Sequence, residues 1–259
     1  MELPAARWYE ALFRRRSRRT YTSSAPEADK LDRLDQVCRE FRPFPEVRSV
    51  LIKSSPETFF KGLIGSYGRV RGASVSIAFV GRMESPRVQE AAGYTGEGII
   101  LEATSLGLAT CWVGGFFRRD IVRRHIRILD GEKVLAVTPV GYSPDRKDRS
   151  ERFLSGVVGA DRRKPLDRLV SGDAPPAHLE RAFAAARLAP SAQNRQPWRF
   201  RVEKNAVIIA ADKSFSTSGV SKRLDCGIAM LHFELGARAA GVMGEWEILS
   251  PPEVARFIC

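Results

Sequence analysis

The sequence predicts an α+β fold, a central antiparallel-type sheet wrapped by helices and assembled from two fused half-copies. Three observations point there. Leu179, Ala182, Phe183 and Ala186 fall at i, i+3, i+4 and i+7, one apolar face of a helix. Trp198, Phe200 and Val202 then alternate with Arg199, Arg201 and Glu203, the period of a half-buried strand. Finally, Gly98-Ile99 and Leu106-Gly107 recur as Gly227-Ile228 and Leu235-Gly236, at an offset of 129 residues in a chain of 259. Self-similarity at half length implies two fused copies, because a solenoid needs several short repeats.

Composition narrows the function class. Hydrophobic residues make up 44% and charged residues 28%, the balance of a folded globular protein with ample core. No stretch approaches a membrane span or a signal-peptide apolar run, so a cytoplasmic protein without a membrane partner is expected. Cys38, Cys111, Cys226 and Cys259 are scattered, and His125, His178 and His232 stand at no ligand spacing. Neither a metal site nor Cys/His catalysis is expected. Net charge is +12, but the basic clusters at 14–19, 118–127 and 146–152 accompany no nucleic-acid recognition motif. A general preference for anions follows, and no specific nucleic acid.

Taken in order, Trp8 and Leu12 mark a first helix running into Arg14-Arg15-Arg16-Ser17-Arg18-Arg19-Thr20-Tyr21. Such a run is either a charged helix end suited to the C-terminal dipole or a clamp of guanidinium forks for phosphate. Leu31, Leu34, Val37, Cys38 and Phe41 form a second helical stripe, then a strand over 47–52. The loop between them reads Arg42-Pro43-Phe44-Pro45. A glycine-punctuated basic segment over 62–72 is expected as a surface loop, a cover over a pocket, followed by a buried strand over 73–80. Residues 93–108, rich in small residues, predict a central helix packed on several sides, with Gly107 ending it in a left-handed conformation. Thr110 to Phe116 reads as a short strand entering the Gly114-Gly115 turn, where backbone N–H groups can approach a ligand without Cβ interference. A basic helix over 118–128 and a strand over 134–141 follow. Residues 154–176 are polar and contain Gly and Pro, the composition of a linker. After the helix and strand already described come a strand over 207–211 and a last helix over 224–237.

Between the 179–186 helix and the 198–203 strand stands Ala189-Pro190-Ser191-Ala192-Gln193-Asn194-Arg195-Gln196-Pro197-Trp198. Pro190 stops the helix, and Ser191, Asn194 and Gln196 offer polar groups to the edge of a planar heteroaromatic ligand. This string resembles the signature loop of the nitroreductase family of FMN flavoproteins. The opening run is similar to that family's Arg-x-Ser-x-Arg/Lys-x-aromatic element, and the half-length repeat is similar to its fused, TM1586-like branch.

The resemblance implies an FMN site made by both halves, with one FMN per chain because the 42–45 loop lacks the Ser and Asn. Arg15 would take the phosphate and Arg19 the pyrimidine side of the flavin, supported by Arg16 and Ser17. The backbone of Val113, Gly114 and Gly115 would lie against flavin N5 and O4. A Glu-Gly pair is often found there in the family; the Glu is absent here. Lys147 and Arg149 would close on the phosphate, and Pro190, Ser191, Ala192 and Asn194 would complete the pocket. No side chain is expected to act as a catalyst, since the flavin carries the chemistry. NAD(P)H would donate hydride, and a small-molecule acceptor, a nitroaromatic or quinone, would receive it in a ping-pong cycle. The implied organisation is a first half over 1–153, a linker over 154–176 and a second half over 177–259. The internal pseudo-dimer implies a monomer, with further homo-dimerisation open to it. The alternatives are another FMN reaction such as reductive dehalogenation or flavin breakdown, a flavin-free descendant that binds a nucleotide or a protein, and charge-driven nucleic-acid binding.

Overall fold

The computed structural model describes residues 1–54, 56–60, 70–144, 159, 162–214 and 219–259. The first half runs α1 (Ala5–Arg14), α2 (Ala28–Glu40), β1 (Val47–Ile52), α3 (Glu57–Phe60), β2 (Val75–Arg82), α4 (Val88–Ser105), β3 (Ala109–Thr110), α5 (Arg119–Val122) and β4 (Glu132–Gly141). The second half contains β5 (Val170–Gly172), α6 (Glu180–Arg187), β6 (Trp198–Glu203), β7 (Ala206–Ala211), α7 (Lys222–Ala239), β8 (Glu245–Ile248) and β9 (Glu253–Ile258).

The fold is α+β, and its antiparallel strands are divided between two sheets, one in each half. Their orders are β1-β2-β4-β3 and β5-β6-β7-β9-β8. Setting aside β5, which pairs in parallel with β6, the two orders match strand for strand. In both, the long helix follows the second strand of the shared order. β5 lies inside the stretch expected to be a linker, and Leu169 beside it is buried.

The two long helices, α4 and α7, are nearly buried along their whole length and pack on each other. Both start and end 134 residues apart, at Val88 and Lys222 and at Ser105 and Ala239. Their crossing is reciprocal. A Cβ on Gly93 would run into the carbonyl of Leu224, and a Cβ on Gly227 would run into the carbonyl of Glu90. Close backbone approach therefore demands glycine at both positions. The positions that correspond across the crossing are Gly93 and Gly227, not the Gly98 and Gly227 matched by letters at an offset of 129. Gly98 instead makes room for the rings of Trp8 and Phe41.

Around this helix pair the main core gathers side chains from both halves, including Trp8, Phe79 and Ile99 with Phe183, Trp198 and Phe233. Gly107 has φ +79°, the left-handed helix ending expected of it. The basic helix expected over 118–128 is only Arg119–Val122, because Arg123, Arg124 and Arg127 offer little to bury. Most of the 62–72 segment lies outside the described residues. No helix among the described residues is long and apolar enough to cross a membrane.

Candidate functional site

A cavity of about 330 Å³ opens between the halves. That volume suits a small-molecule or cofactor site. From the first half come the end of α1 and the chain after it, with Arg15, Arg16, Ser17 and Arg19, and then Trp112 and Gly114. From the second half come Pro190, Ser191, Ala192 and Asn194 of the helix-to-strand loop, with Leu224, Asp225 and Ile228 of α7. The cavity thus brings together most of the residues expected at the site. Val113 is buried just behind the wall, paired with Val137 by backbone hydrogen bonds of 2.9 Å in both directions. Gly115 follows the lining residue Gly114 without itself lining the cavity. Lys147 and Arg149 lie outside the described residues.

Local structure explains how Arg15 reaches the wall. Helix α1 ends at Arg14, and Arg15 leaves helical geometry while its N–H still donates to Ala11 O. Ser17 forms a parallel bridge to Thr110, and Arg18 N–H donates to Thr110 O at 2.9 Å, so the run is held in strand-like form beside β3. Only 7% of the Arg15 side chain is exposed. Its Nε is buried without a hydrogen-bond partner, and Glu97 Oε1 stands 3.7 Å away. Burial lowers the pKa of Arg15, and Glu97 opposes that shift. Arg16 differs: it is exposed and donates to the carbonyls of Phe13 and Arg15 at 3.0 and 2.8 Å.

Behind Arg15 and Trp112 lies a wholly buried polar group. Trp112 Nε1 donates to Glu97 Oε2 at 2.6 Å, and Glu97 Oε1 is 2.9 Å from His232 Nε2. His232 Nδ1 lies 3.2 Å from the carbonyl of Ala185 on α6. Glu97 sits on α4 and His232 on α7, so this group joins the halves beneath the cavity.

The second-half loop is tightly wound. Gln193, Asn194 and Gln196 have φ of 55°, 53° and 47°, the left-handed region in which non-glycine residues are uncommon. Internal hydrogen bonds hold it there. Asn194 Nδ2 donates to the carbonyls of Gly159 and Arg162 at 2.6 and 2.9 Å, and its Oδ1 accepts from Arg163 at 3.1 Å. Gln196 Oε1 accepts the Lys164 N–H at 2.8 Å, and Ser191 Oγ accepts the Gln196 N–H at 2.9 Å. The Ser, Asn and Gln side chains read from sequence as groups for a ligand are therefore engaged with their own chain. Asn194 fastens Gly159, Arg162 and Arg163 to the loop and lines the cavity at the same time.

Asp225 supplies the loop's other anchor. Its carboxylate accepts from Ala192 N–H at 3.2 Å and from Arg195 Nε at 2.7 Å. Burial raises its pKa to about 6, with Arg195 pulling the other way. Gly114 approaches Val220 so closely that a Cβ would stand 3.1 and 3.2 Å from the two Val220 methyls.

Sequence reasoning did not single out Phe13, Cys111, Trp112, Arg163 and Asp225 as parts of the site, although all five line it. For Asp225 a signal exists, since a lone carboxylate stands in an otherwise small and apolar stretch of α7. Glu97 has the same signature within Gly96-Glu97-Gly98-Ile99. Arg163 carries none, lying in a polar stretch read as linker.

The family model described as "Putative TM nitroreductase" matches residues 7–237. Among solved structures, the chain is similar to a Thermotoga maritima protein of like description, at 19% identity and a TM-score of 0.65, over 97% of this chain and 93% of that one. It is also similar to a nitroreductase family protein of Clostridium difficile 630, at 23% identity and a TM-score of 0.48, over 64% of this chain and 98% of that one. A third similar structure is an FMN-dependent nitroreductase of Clostridium difficile R20291, at 20% identity and a TM-score of 0.44, over 54% of this chain and 91% of that one. No match is found among curated proteins. The Thermotoga likeness shows the fold.

Proposed function

Because the chain belongs to the TM nitroreductase family, a family of oxidoreductases, we propose that it is an FMN-dependent enzyme passing hydride from NAD(P)H to an electron-poor small molecule, of nitroaromatic or quinone class. The observation that carries this reading is Arg15, a buried guanidinium in the cavity wall whose Nε finds no hydrogen-bond partner among the described residues. With Glu97 Oε1 at 3.7 Å, beyond hydrogen-bond reach, this buried cation still calls for a further anion, and guanidinium suits phosphate. Arg16, Arg19 and Arg163 line the same cavity, and Asp225, the one carboxylate among the described residues that line it, is held by Arg195.

In this reading Arg15 holds the phosphate and Arg19 meets the flavin ring, with Ser17 and Arg16 fixing the run that carries them. Gly114 would bound the reactive side of the ring, with Val113 behind it and Gly115 beside it, and Pro190, Ser191, Ala192 and Asn194 would close the opposite wall. Trp112 and Ile228 keep water from that space. When bound, FMN supplies hydride acceptance and delivery in a ping-pong cycle, and the protein supplies position and electrostatics. The first half over 1–153 and the second over 177–259 contribute jointly to one site, linked through 154–176. One site per chain is supported by Phe44, which fills the first-half counterpart of the loop and packs edge-on against Tyr94 at 5.4 Å.

The test is the visible spectrum of the purified chain with added FMN, followed by reduction with NADH or NADPH. Absorbance near ~450 nm that stays with the protein, at about one flavin per chain, is the expected result. Bleaching by the nicotinamide and recovery on adding a nitroaromatic or quinone completes it. A protein that refuses FMN overturns the reading in favour of a flavin-free nucleotide- or protein-binding module.

A further inference from the structure

We propose that Phe13 and Arg16, at the end of α1, form an outer subsite on the cavity rim for the adenylate half of the nicotinamide dinucleotide. Phe13 stacks on the adenine, and Arg16 meets the adjoining phosphates. The proposal rests on the flavin reading above and adds to it the residues that recognise the hydride donor.

Helix α1 turns Trp8, Ala11 and Leu12 into the core, whereas Phe13 leaves 52% of its surface exposed. A single apolar side chain at the surface means little by itself. Among the exposed large hydrophobic side chains of the described residues, however, Phe13 alone lines the cavity; Phe116, Leu129 and Met243 do not. Its ring is also held in place. Tyr9, one turn earlier on α1, packs perpendicular to it with ring centroids 5.3 Å apart. A fixed, half-exposed ring at a cavity rim is a stacking platform for a planar base. Arg16 supplies the charge. Its Nη1 donates to the carbonyls of Phe13 and Arg15 at 3.0 and 2.8 Å, which sets the guanidinium beside the Phe13 backbone. A guanidinium carries more N–H donors than Nη1 alone, so this bracing leaves others for a phosphate. Arg16 is exposed and lines the cavity, so it faces both the cavity and the solvent around its mouth.

The donor fits this rim better than the acceptor does. A cavity of about 330 Å³ stands at the lower end of the range for ligand sites. A flavin seated there leaves no room for a whole dinucleotide beside it, so the donor's outer half must rest on the rim. Phe13 and Arg16 share the end of α1 with Arg15, which in the flavin reading takes the phosphate, whereas the reactive side of the ring lies at Gly114. An acceptor has to bring its reacting atom to that side. A dinucleotide instead carries its adenine at the far end of a flexible pyrophosphate, away from the ring that reacts. The chemistry agrees, since an aromatic face next to a cation matches a base next to phosphate. An uncharged nitroaromatic or quinone would use the ring and leave the cation idle.

The experiment is isothermal titration of ADP-ribose, which holds the adenine and both phosphates but delivers no hydride, into the FMN-loaded full chain. Expected is binding that competes with NADH in steady-state assays. Phe13→Ala should weaken ADP-ribose by about tenfold, the loss of one base–aromatic stack, and Phe13→Trp should restore it. Truncating a half-exposed side chain opens no core cavity, so Phe13→Ala should fold as the wild type does. Arg16→Gln should weaken ADP-ribose as well, through the lost charge. In turnover, Phe13→Ala should raise KM for NADH by about tenfold relative to KM for reduced nicotinamide mononucleotide, which has no adenylate. ADP-ribose that does not bind the FMN-loaded chain, binds without competing with NADH, or binds Phe13→Ala as tightly as wild type overturns the proposal and leaves the flavin site standing. FMN affinity that falls in Phe13→Ala as far as ADP-ribose affinity does also overturns it, because Phe13 would then belong to the flavin wall. A wild-type chain that binds no FMN overturns the proposed function, and this proposal with it.

Discussion

Asp225 holds Arg195 at 2.7 Å, with the carboxylate essentially buried and the guanidinium only slightly exposed. The same carboxylate takes the Ala192 N–H, so one residue of α7 fixes both ends of the turn that lines the cavity. Burial outweighs this pairing and raises the Asp225 pKa from 3.8 to about 6. An acid whose pKa is raised on folding contributes stability that is complete below its unfolded value and is lost as pH rises through its folded value. The difference in unfolding free energy between wild type and Asp225→Asn, which does not titrate, should therefore fall by about 2 kcal/mol from about pH 4 to about pH 7.5. Urea unfolding at both pH values measures it. A difference that grows with pH would mean that Arg195 outweighs burial.

Arg15 should show opposite effects on binding and on stability. Replacing it with Met removes a charge-assisted contact to the ligand, costing on the order of 1.5–3 kcal/mol of FMN affinity. The same change removes a cation that burial already disfavours in the unliganded chain, so the melting temperature without FMN should hold or rise. A fall in both affinity and melting temperature would mark Arg15 as a structural residue instead.

The reciprocal helix crossing predicts matched damage. Ala at Gly93 drives its methyl into the Leu224 carbonyl, and Ala at Gly227 does the same to that of Glu90. Backbone cannot swing aside as a side chain can, so each change should cost about 3 kcal/mol or more by chemical denaturation. Ala at Gly107 would meet no atom within 4 Å, and its cost comes only from the left-handed backbone, φ +79°. It should be the mildest of the three. If Gly107→Ala proved the most damaging, close approach would not be what sets the crossing.

Much of this architecture could be read from side-chain periodicity. The alternation of Trp198, Phe200 and Val202 marked β6, and the apolar stripe from Leu34 to Phe41 marked α2, because one buried face imposes its period on the sequence. The long helices were harder to bound, since burial on all sides erases amphipathic contrast. Matching Gly98 to Gly227 compared letters, whereas the crossing is fixed by where backbones meet, at Gly93. Arg15 and the Pro190–Asn194 turn were found because loop residues with unusual chemistry stand out against polar surroundings. Arg163 and the Glu97–His232 contact were not, because they join residues 31 and 135 positions apart or act through a partner, and no local spacing records that.

The cavity's division between the halves gives the last prediction. Arg15, Trp112 and Gly114 come from one side of the 154–176 stretch, and Pro190, Asn194 and Asp225 from the other. Neither set closes the cavity alone. The helices that join them, α4 and α7, present small residues to each other and bury their polar contacts, Glu90 with Arg223 at 2.6 Å and Tyr94 with Glu234 at 2.7 Å. Those contacts need no peptide bond between the halves. A chain cut within 154–161, ahead of the Arg163 and Lys164 contacts to the loop, should therefore bind FMN when both pieces are produced together. Either piece produced alone should bind none, because it exposes its long helix and holds half of the wall. Size-exclusion chromatography followed by flavin absorbance distinguishes these outcomes. Flavin retained by a single piece would show that the site belongs to one half, and the packing of α4 on α7 would then serve stability alone.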